Sequence, residues 1–235
     1  MQENILSAIK DCPALRQADA QALADIAQLV VYNKGDTIMR DKDKTENLYF
    51  VIEGIVSLYK LNMYGSKKSI FILGKGKPFN ENILCDQRTS IFAQAMTPVT
   101  LLSFPHQALK EYLLSDAQTT LLLMASMSLK IRRLYHQLKN TCKSYRLDKQ
   151  IGSKLWKLTR DFGISYPVEQ HPSSLRINFK ISINELSELM GSTRESVSRS
   201  LKILVDKNLI FIKNGYFFVI DIEELRKYSM HPQVQ

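Results

Sequence analysis

The sequence predicts an α+β protein in two halves, and three observations carry that prediction. Between Val30 and Phe104, short β-rich runs alternate with glycine or polar turns, which describes a small antiparallel barrel or sandwich. From Leu121 to Cys142, apolar residues recur at alternating steps of three and four, the mark of a helix that pairs with another helix. From Ile183 onward, two short helical patterns meet at a glycine and are followed by a hairpin signal.

Residues 2–29 place Ile5, Leu6, Ile9, Leu15, Leu23, Ile26 and Leu29 at helical spacing, interrupted by Pro13, and read as short amphipathic packing helices. The β-rich runs follow: Val30–Tyr32, Asp36–Arg40, Leu48–Ile52, Ile55–Leu61, Ser69–Leu73, Ile91–Ala95 and Thr100–Phe104. Lys34-Gly35-Asp36, Glu53-Gly54, Tyr64-Gly65 and Gly74-Lys75-Gly76 sit where the chain must reverse or take positive φ. The stretch LYFVIEGIVSLYKL is too apolar for a sheet with one wet face, so the roll interior is either well filled or encloses a small ligand.

After Pro105 the pattern is helical over a long stretch. Leu121, Met124, Ser128, Ile131, Tyr135, Leu138 and Cys142 form an a/d seam, flanked by Lys130, Arg132, Arg133, His136, Lys139 and Lys143. So narrow an apolar stripe suits a dimer better than a core, and those seam residues are the expected dimer interface. Arg146-Leu147-Asp148 ends the stretch, with Asp148 expected to cap a helix over Lys149–Phe162 and to mark a hinge. Gly163–Ser174 reads as a loop and Leu175–Phe179 as a short strand. The expected division is therefore 1–108, 109–147 and 148–235.

Residues 183–204, INELSELMGSTRESVSRSLKIL, carry the most information. Small Ser187 at the fifth position, Gly191 at the ninth, and apolar Leu186, Met190, Val197 and Leu201 are what two crossed helices need. Polar Ser192 at the tenth position is the one departure from that pattern. At 100° per residue, Arg194, Glu195, Ser198, Arg199 and Lys202 share one face of the second helix, opposite Val197, Leu201 and Leu204. A basic and polar face starting at a helix N-terminus can enter the DNA major groove. There Arg can grip guanine O6 and N7, and Glu can accept from cytosine N4. Ser192 or Thr193 would cap the helix and could touch phosphate. Leu209–Lys213 and Tyr216–Ile220 flank Asn214-Gly215, which completes a winged helix.

Composition narrows the function. The 235 residues hold 32 Lys plus Arg against 23 Asp plus Glu, 45% hydrophobic residues and no apolar run near membrane-spanning length. That excludes a disordered tail and a membrane-spanning protein, and the start of the chain lacks the form of a secretory signal, so a cytoplasmic location is expected. Residues 1–108 have a net charge of +1, 109–147 of +5 and 148–235 of +3, which favours a polyanionic partner for the C-terminal half. Cys12, Cys85 and Cys142 stand far apart, giving neither a zinc site nor a disulfide framework. No P-loop, GxSxG, HExxH or dinucleotide fingerprint supports an enzyme, no catalytic residue is assigned, and no metal ligand set is present.

These segments resemble the cyclic-AMP receptor protein and fumarate–nitrate regulator superfamily of bacterial transcription factors over essentially the whole chain. The carrying residues are the glycine-punctuated stretch from Lys34 to Gly76, KIRRLY at 130–135, Leu147-Asp148, and GSTRESVSRSLKIL at 191–204. The resemblance implies an N-terminal double-stranded β-helix, or β-roll, of the cyclic-nucleotide-binding type. A long dimerisation helix would join it to a C-terminal winged helix-turn-helix. It further implies an effector-gated homodimer on palindromic double-stranded DNA, with RNA polymerase as a partner if the protein is an activator. Arg194, Glu195 and Arg199 match the base-reading positions of one branch, and Glu195, Ser198 and Arg199 those of the other, so TGTGA-like or TTGAT-like half-sites are expected.

The effector is less legible. Cyclic-nucleotide members hold the ribose with a Gly-Glu pair and the phosphate with Arg-Ser or Arg-Thr. Here Glu81 follows Asn80, Arg88-Thr89 lie on a shortened segment, and Gln137-Leu138 stand where that branch presents Thr-Ser. This argues against a cyclic nucleotide, and the lone N-terminal Cys12 argues against an iron–sulfur cluster. Haem stays open through Cys85 or His136, as does a thiol switch at the three cysteines. An unidentified small molecule, anionic if Arg88 is a contact, or no ligand at all, completes the range. Glu81, Arg88, Thr89, Tyr135, Gln137 and Leu138 are the candidate contacts. The competing reading is a ligand- or redox-sensing module whose basic half binds nucleic acid without sequence choice.

Overall fold

The computed structural model describes residues 2–15, 19–44, 46–63, 65–85, 88–139, 146–168 and 171–230. The turn residue Tyr64, the seam residue Cys142 and its neighbour Lys143 lie outside them. The chain forms two compact units, Met1–Leu61 with Ser69–Lys139, and Asn140–Gln235 with the short stretch Asn62–Lys68. In this grouping the long helix goes with the strands that precede it.

In the first unit, α1 (Gln2–Asp11) and α2 (Ala20–Ile26) precede eight strands: β1 (Gln28–Tyr32), β2 (Thr37–Met39), β3 (Asn47–Glu53), β4 (Val56–Leu61), β5 (Lys67–Leu73), β6 (Pro78–Phe79), β7 (Phe92–Ala95) and β8 (Val99–Pro105). They make two four-stranded sheets, in the orders β1-β8-β3-β6 and β2-β7-β4-β5. All seven expected strands are present. The two-residue β6 was not foreseen, since a pair opened by proline carries no alternation to read.

The dense apolar stretch around Gly54 has a simple cause: strand β3 is buried on both faces. Tyr49 and Val51 point into the roll with Phe71, Leu73, Phe79 and Leu101, whereas Leu48 and Phe50 point outward beneath Ile9, Leu23 and Leu109. Tyr49 stacks on Phe79 with ring centroids 5.1 Å apart. Each such buried side chain contributes about 1.5–3 kcal/mol. These side chains pack together on the inner face of the roll. Gly54 turns β3 into β4 at φ +84°, and a Cβ there would collide with the Pro98 carbonyl oxygen.

The helical stretch after Pro105 is two helices, α3 (His106–Ser115) and α4 (Ala117–Lys139). Asp116 breaks them apart. Its carboxylate accepts from the backbone N–H groups of Gln118 (3.0 Å) and Thr119 (3.2 Å), from the Thr119 hydroxyl, and from Tyr112 Oη at 2.7 Å. Those bonds, that from Tyr112 foremost, lower its pKa to about 2.

The second unit contains α5 (Leu147–Phe162), β9 (Gly163–Ser165), β10 (Leu175–Ile177), α6 (Ile183–Met190), α7 (Arg194–Asp206), β11 (Ile210–Lys213), β12 (Tyr216–Val219) and α8 (Ile222–Met230). Its sheet runs β11-β12-β10-β9. Two expectations are corrected. Gly163–Ser165 is a strand paired with β10 rather than the start of a loop. Asp148 does not cap α5, which begins one residue earlier after Arg146. Instead its buried carboxylate accepts from Tyr228 Oη of α8 and from Arg146. Burial would raise the Asp148 carboxyl, but those hydrogen bonds and the Arg146 charge hold it below its ordinary value, while burial and Asp148 push Tyr228 up to about 12. Helix α8, unforeseen, is capped by Asp221 and crosses α5 at Gly152, where a Cβ would strike Ser229.

Candidate nucleic-acid interface

Helix α6 starts at a capping box: the Ser182 hydroxyl accepts from Glu185 N (3.1 Å), and the Glu185 carboxylate accepts from Ser182 N (2.6 Å). It ends at Gly191 in the left-handed conformation, φ +63°. Thr193 then caps α7, its hydroxyl accepting from Ser196 N at 3.3 Å. Ser192 is half-buried in the turn and its N–H reaches Ser187 O at 3.1 Å, so of the two candidate caps Thr193 does the capping.

The burial of α7 divides by face. Val197, Ser200, Leu201 and Leu204 are buried, while Arg194, Glu195, Ser198, Arg199 and Lys202 are all exposed, as is Thr193. Glu195 sits in the first turn, where its own backbone N–H, the Thr193 side chain, Arg194 and Arg199 hold its carboxyl below the usual range. It is therefore an anionic acceptor at neutral pH, flanked by cationic donors. Behind it, β11 and β12 close on Asn214-Gly215, both at positive φ (+53° and +80°), the two-residue turn that matches the twist of a hairpin.

The heptad positions of α4 also lie on one exposed face. Leu121 (65% exposed), Met124, Ser128, Ile131, Tyr135 (67%) and Leu138 point to solvent. The opposite side holds the helix to its own unit through buried Leu123, through Lys130, and through Gln137, whose Nε2 donates to Ile70 O of β5 at 2.9 Å.

Of the candidate effector contacts, Glu81, Arg88, Thr89 and Gln137 have partners within the fold, and Tyr135 and Leu138 are exposed. Glu81, in the 3₁₀ turn Glu81–Cys85, is ion-paired with Lys130, whose ammonium also donates to Pro78 O. Both side chains are largely buried, at 12% and 16% exposure. Burial pushes the Lys130 ammonium below its ordinary range against the pull of Glu81. Asn80, where the resemblance expects glycine, takes φ +71°, a conformation asparagine tolerates better than other side chains, and its amide donates to Asn47 O at 2.9 Å. Arg88 donates to Lys42 O at 3.1 Å, and the buried Thr89 hydroxyl donates to Arg40 O. Gln137 is bound to β5, and Tyr135 and Leu138 face outward. Sequence reasoning missed Lys130 because its partner lies 49 residues away.

Cys12 is fully buried and burial pushes its thiol up, which makes it a poor nucleophile, whereas Cys85 is exposed. His136 is exposed on α4. Among the described residues no group of three or more His, Cys, Asp or Glu is placed to hold a metal ion, and no helix is long and apolar enough to cross a membrane.

A β-roll carrying a long helix, followed by a winged helix whose second helix exposes Arg, Glu, Ser, Arg and Lys, defines a helix-turn-helix DNA-binding protein with a sensor-type domain. Residues 29–116 match the Cyclic nucleotide-binding domain family, and residues 150–228 the Crp-like helix-turn-helix domain family. The chain is similar to the global nitrogen regulator of Synechocystis sp., 29% identical over 184 residues covering 77% of this chain and 79% of that one. It is similar to the CRP-like cAMP-activated global transcriptional regulator of Mycobacterium tuberculosis, 23% identical over 208 residues (88% and 90%). The structure of FixK2 from Bradyrhizobium japonicum shares the fold, with a TM-score of 0.75 at 17% identity over 88% of this chain and 98% of that one. The chain belongs to the CRP/FNR superfamily of transcription regulators. It is a DNA-binding regulator, in a family of regulators rather than enzymes.

Proposed function

We propose that the protein works as a homodimer on palindromic promoter sites with TGTGA-like or TTGAT-like half-sites. The exposed α7 face carries this reading. Arg194 and Arg199 offer donors for guanine, Glu195 an acceptor for cytosine, Ser198 and Lys202 adjoin them, and Ser192 and Thr193, at the start of the helix, would meet phosphate. The exposed seam of α4 supports the dimer, since a chain alone would leave a row of large apolar side chains in water. RNA polymerase is the further partner if the dimer activates transcription.

The effector, if one gates the dimer, is a small molecule other than a cyclic nucleotide. Glu81, which would take a ribose, is committed to Lys130, and the Thr89 hydroxyl, which would take a phosphate, is committed to Arg40 O.

Enrichment of a randomised duplex pool by the full-length protein tests the reading. The expected product is a palindrome whose half-sites lie about 10–11 bp apart centre to centre. A pool that stays random, with equal binding to every duplex, would instead support a nonspecific nucleic-acid module. Cyclic AMP is expected to leave both melting temperature and DNA affinity unchanged, and a clear shift in either would return the cyclic nucleotide to the site.

A further inference from the structure

The Asp148 side chain is 2% exposed and lies in the first turn of α5, by which the chain coming from α4 enters the winged helix. Tyr228 Oη, from α8, donates to its carboxylate, and Arg146 grips it through Nε (3.1 Å) and Nη2 (3.3 Å). Burying a carboxylate costs free energy that such partners at best offset, and apolar packing in its place would serve stability as well. What a buried charged network adds is a single geometry, because its bonds hold in one arrangement only.

Tyr228 has a second set of neighbours. Lys149 Nζ of α5 lies 5.9 Å from its ring centroid, and Nζ of Lys207, the residue that closes α7, lies 5.6 Å from it. One side chain of α8 therefore adjoins both the start of α5 and the end of α7. The helix that carries it has a fixed seat. Leu225 is fully buried, and α8 approaches α5 so closely that a Cβ on Gly152 would lie 2.4 Å from Ser229 Oγ.

We propose that Tyr228 is a positioning residue, which locks the first turn of α5 to the end of α7 and so fixes the direction of α7 relative to the chain that enters from α4. This rests on the palindrome-binding dimer proposed above. Two half-sites are read at once only if both copies of α7 stand at the right separation and rotation. Such a lock sets the tolerance for half-site spacing rather than the choice of bases.

The test compares the full-length wild type with Tyr228→Phe and Lys207→Gln on two duplexes. One is the selected palindrome, and the other has a base pair inserted between the same half-sites, which turns one against the other by about 34°. Tyr228→Phe keeps the ring and removes only the hydroxyl, and Lys207 is exposed, so neither change empties the core. Wild type should bind the selected spacing more tightly. In Tyr228→Phe that preference should shrink by up to about tenfold, the lower weight of a hydrogen bond to a charged group, and in Lys207→Gln by less. A preference equal to wild type in Tyr228→Phe overturns the proposal, even where affinity falls equally on both duplexes, since that is a loss of stability alone. A preference equal to wild type in Lys207→Gln removes α7 from the lock. If wild type itself binds both duplexes alike, the dimer reading fails on its own, and hydrogen exchange decides the lock. The amides of the first turns of α5, among them Gln150 N, which donates to Arg146 O, should then exchange faster in Tyr228→Phe than in wild type, and unchanged exchange overturns it.

Discussion

The recognition helix and the roll's candidate effector residues were read from the same sequence, yet they differ in what the fold has done with them. On α7, Arg194, Glu195, Ser198, Arg199 and Lys202 are exposed side by side, their backs secured by Val197, Leu201 and Leu204. Among the candidate effector residues, Glu81 and Thr89 in the roll and Gln137 on α4 are bound to Lys130, Arg40 O and Ile70 O. Residues that face water can bind something else; residues already satisfied inside the fold stabilise it. Substitutions should therefore separate cleanly, with α7 changes altering DNA choice and roll changes altering stability.

The largest expected effect belongs to neither region but to the helix between them in sequence. Ile131→Asp puts a charge at the centre of the α4 seam and should give monomers by sedimentation, with DNA affinity falling to the nonspecific level. A fully dimeric Ile131→Asp at micromolar concentration would show that α4 pairs through some other face.

Next comes the buried ion pair. Lys130→Met leaves Glu81 uncompensated and should cost about 3–5 kcal/mol of stability, whereas Lys130→Met with Glu81→Leu should recover most of it. Urea unfolding of the two variants decides the matter. If the double variant is no better than the single, the pair is not the unit that holds the turn to α4.

Arg199→Ala and Glu195→Ala should each weaken cognate binding about 5- to 150-fold and leave the melting temperature near that of wild type. The smallest effect is expected at the α3–α4 corner. The Asp116 carboxyl is depressed to about 2, so its contribution is fully present above its unfolded value near 3.8 and is lost as pH falls towards 2. The melting-temperature gap between wild type and Asp116→Asn should thus be open at neutral pH and close on acidification. A gap independent of pH would show that the carboxylate charge is not what caps α4.

The contrast between the two regions also explains what was legible in the sequence. A helix-turn-helix is local: Ser187, Gly191 and Val197 fix two helices within a few turns, so face assignments follow from counting at 100° per residue. The wing was equally readable because Asn214-Gly215 can adopt the two positive φ values its turn demands. The seam of α4 came from the same arithmetic. The break at Asp116 was missed although Ser115-Asp116 is itself a capping signal. Asp148 misled for a related reason. It has the chemistry of a cap, but its partner Tyr228 lies 80 residues on, in a helix that had not been foreseen. Glu81 with Lys130, and Arg88 and Thr89 with the loop at Arg40–Asp43, are likewise long-range, and no spacing rule reports a partner more than 40 residues away.

The central claim is that sequence choice resides in the exposed face of α7. Fluorescence anisotropy at near-physiological salt tests it most directly, with the full-length wild type, Glu195→Ala and Arg199→Ala each titrated onto the selected palindrome and a scrambled duplex. Wild type should prefer the palindrome by about a thousandfold or more, and each substitution should erode that ratio while scrambled binding stays nearly intact. Equal losses on both duplexes would contradict the claim and reduce Glu195 and Arg199 to phosphate-side or structural roles.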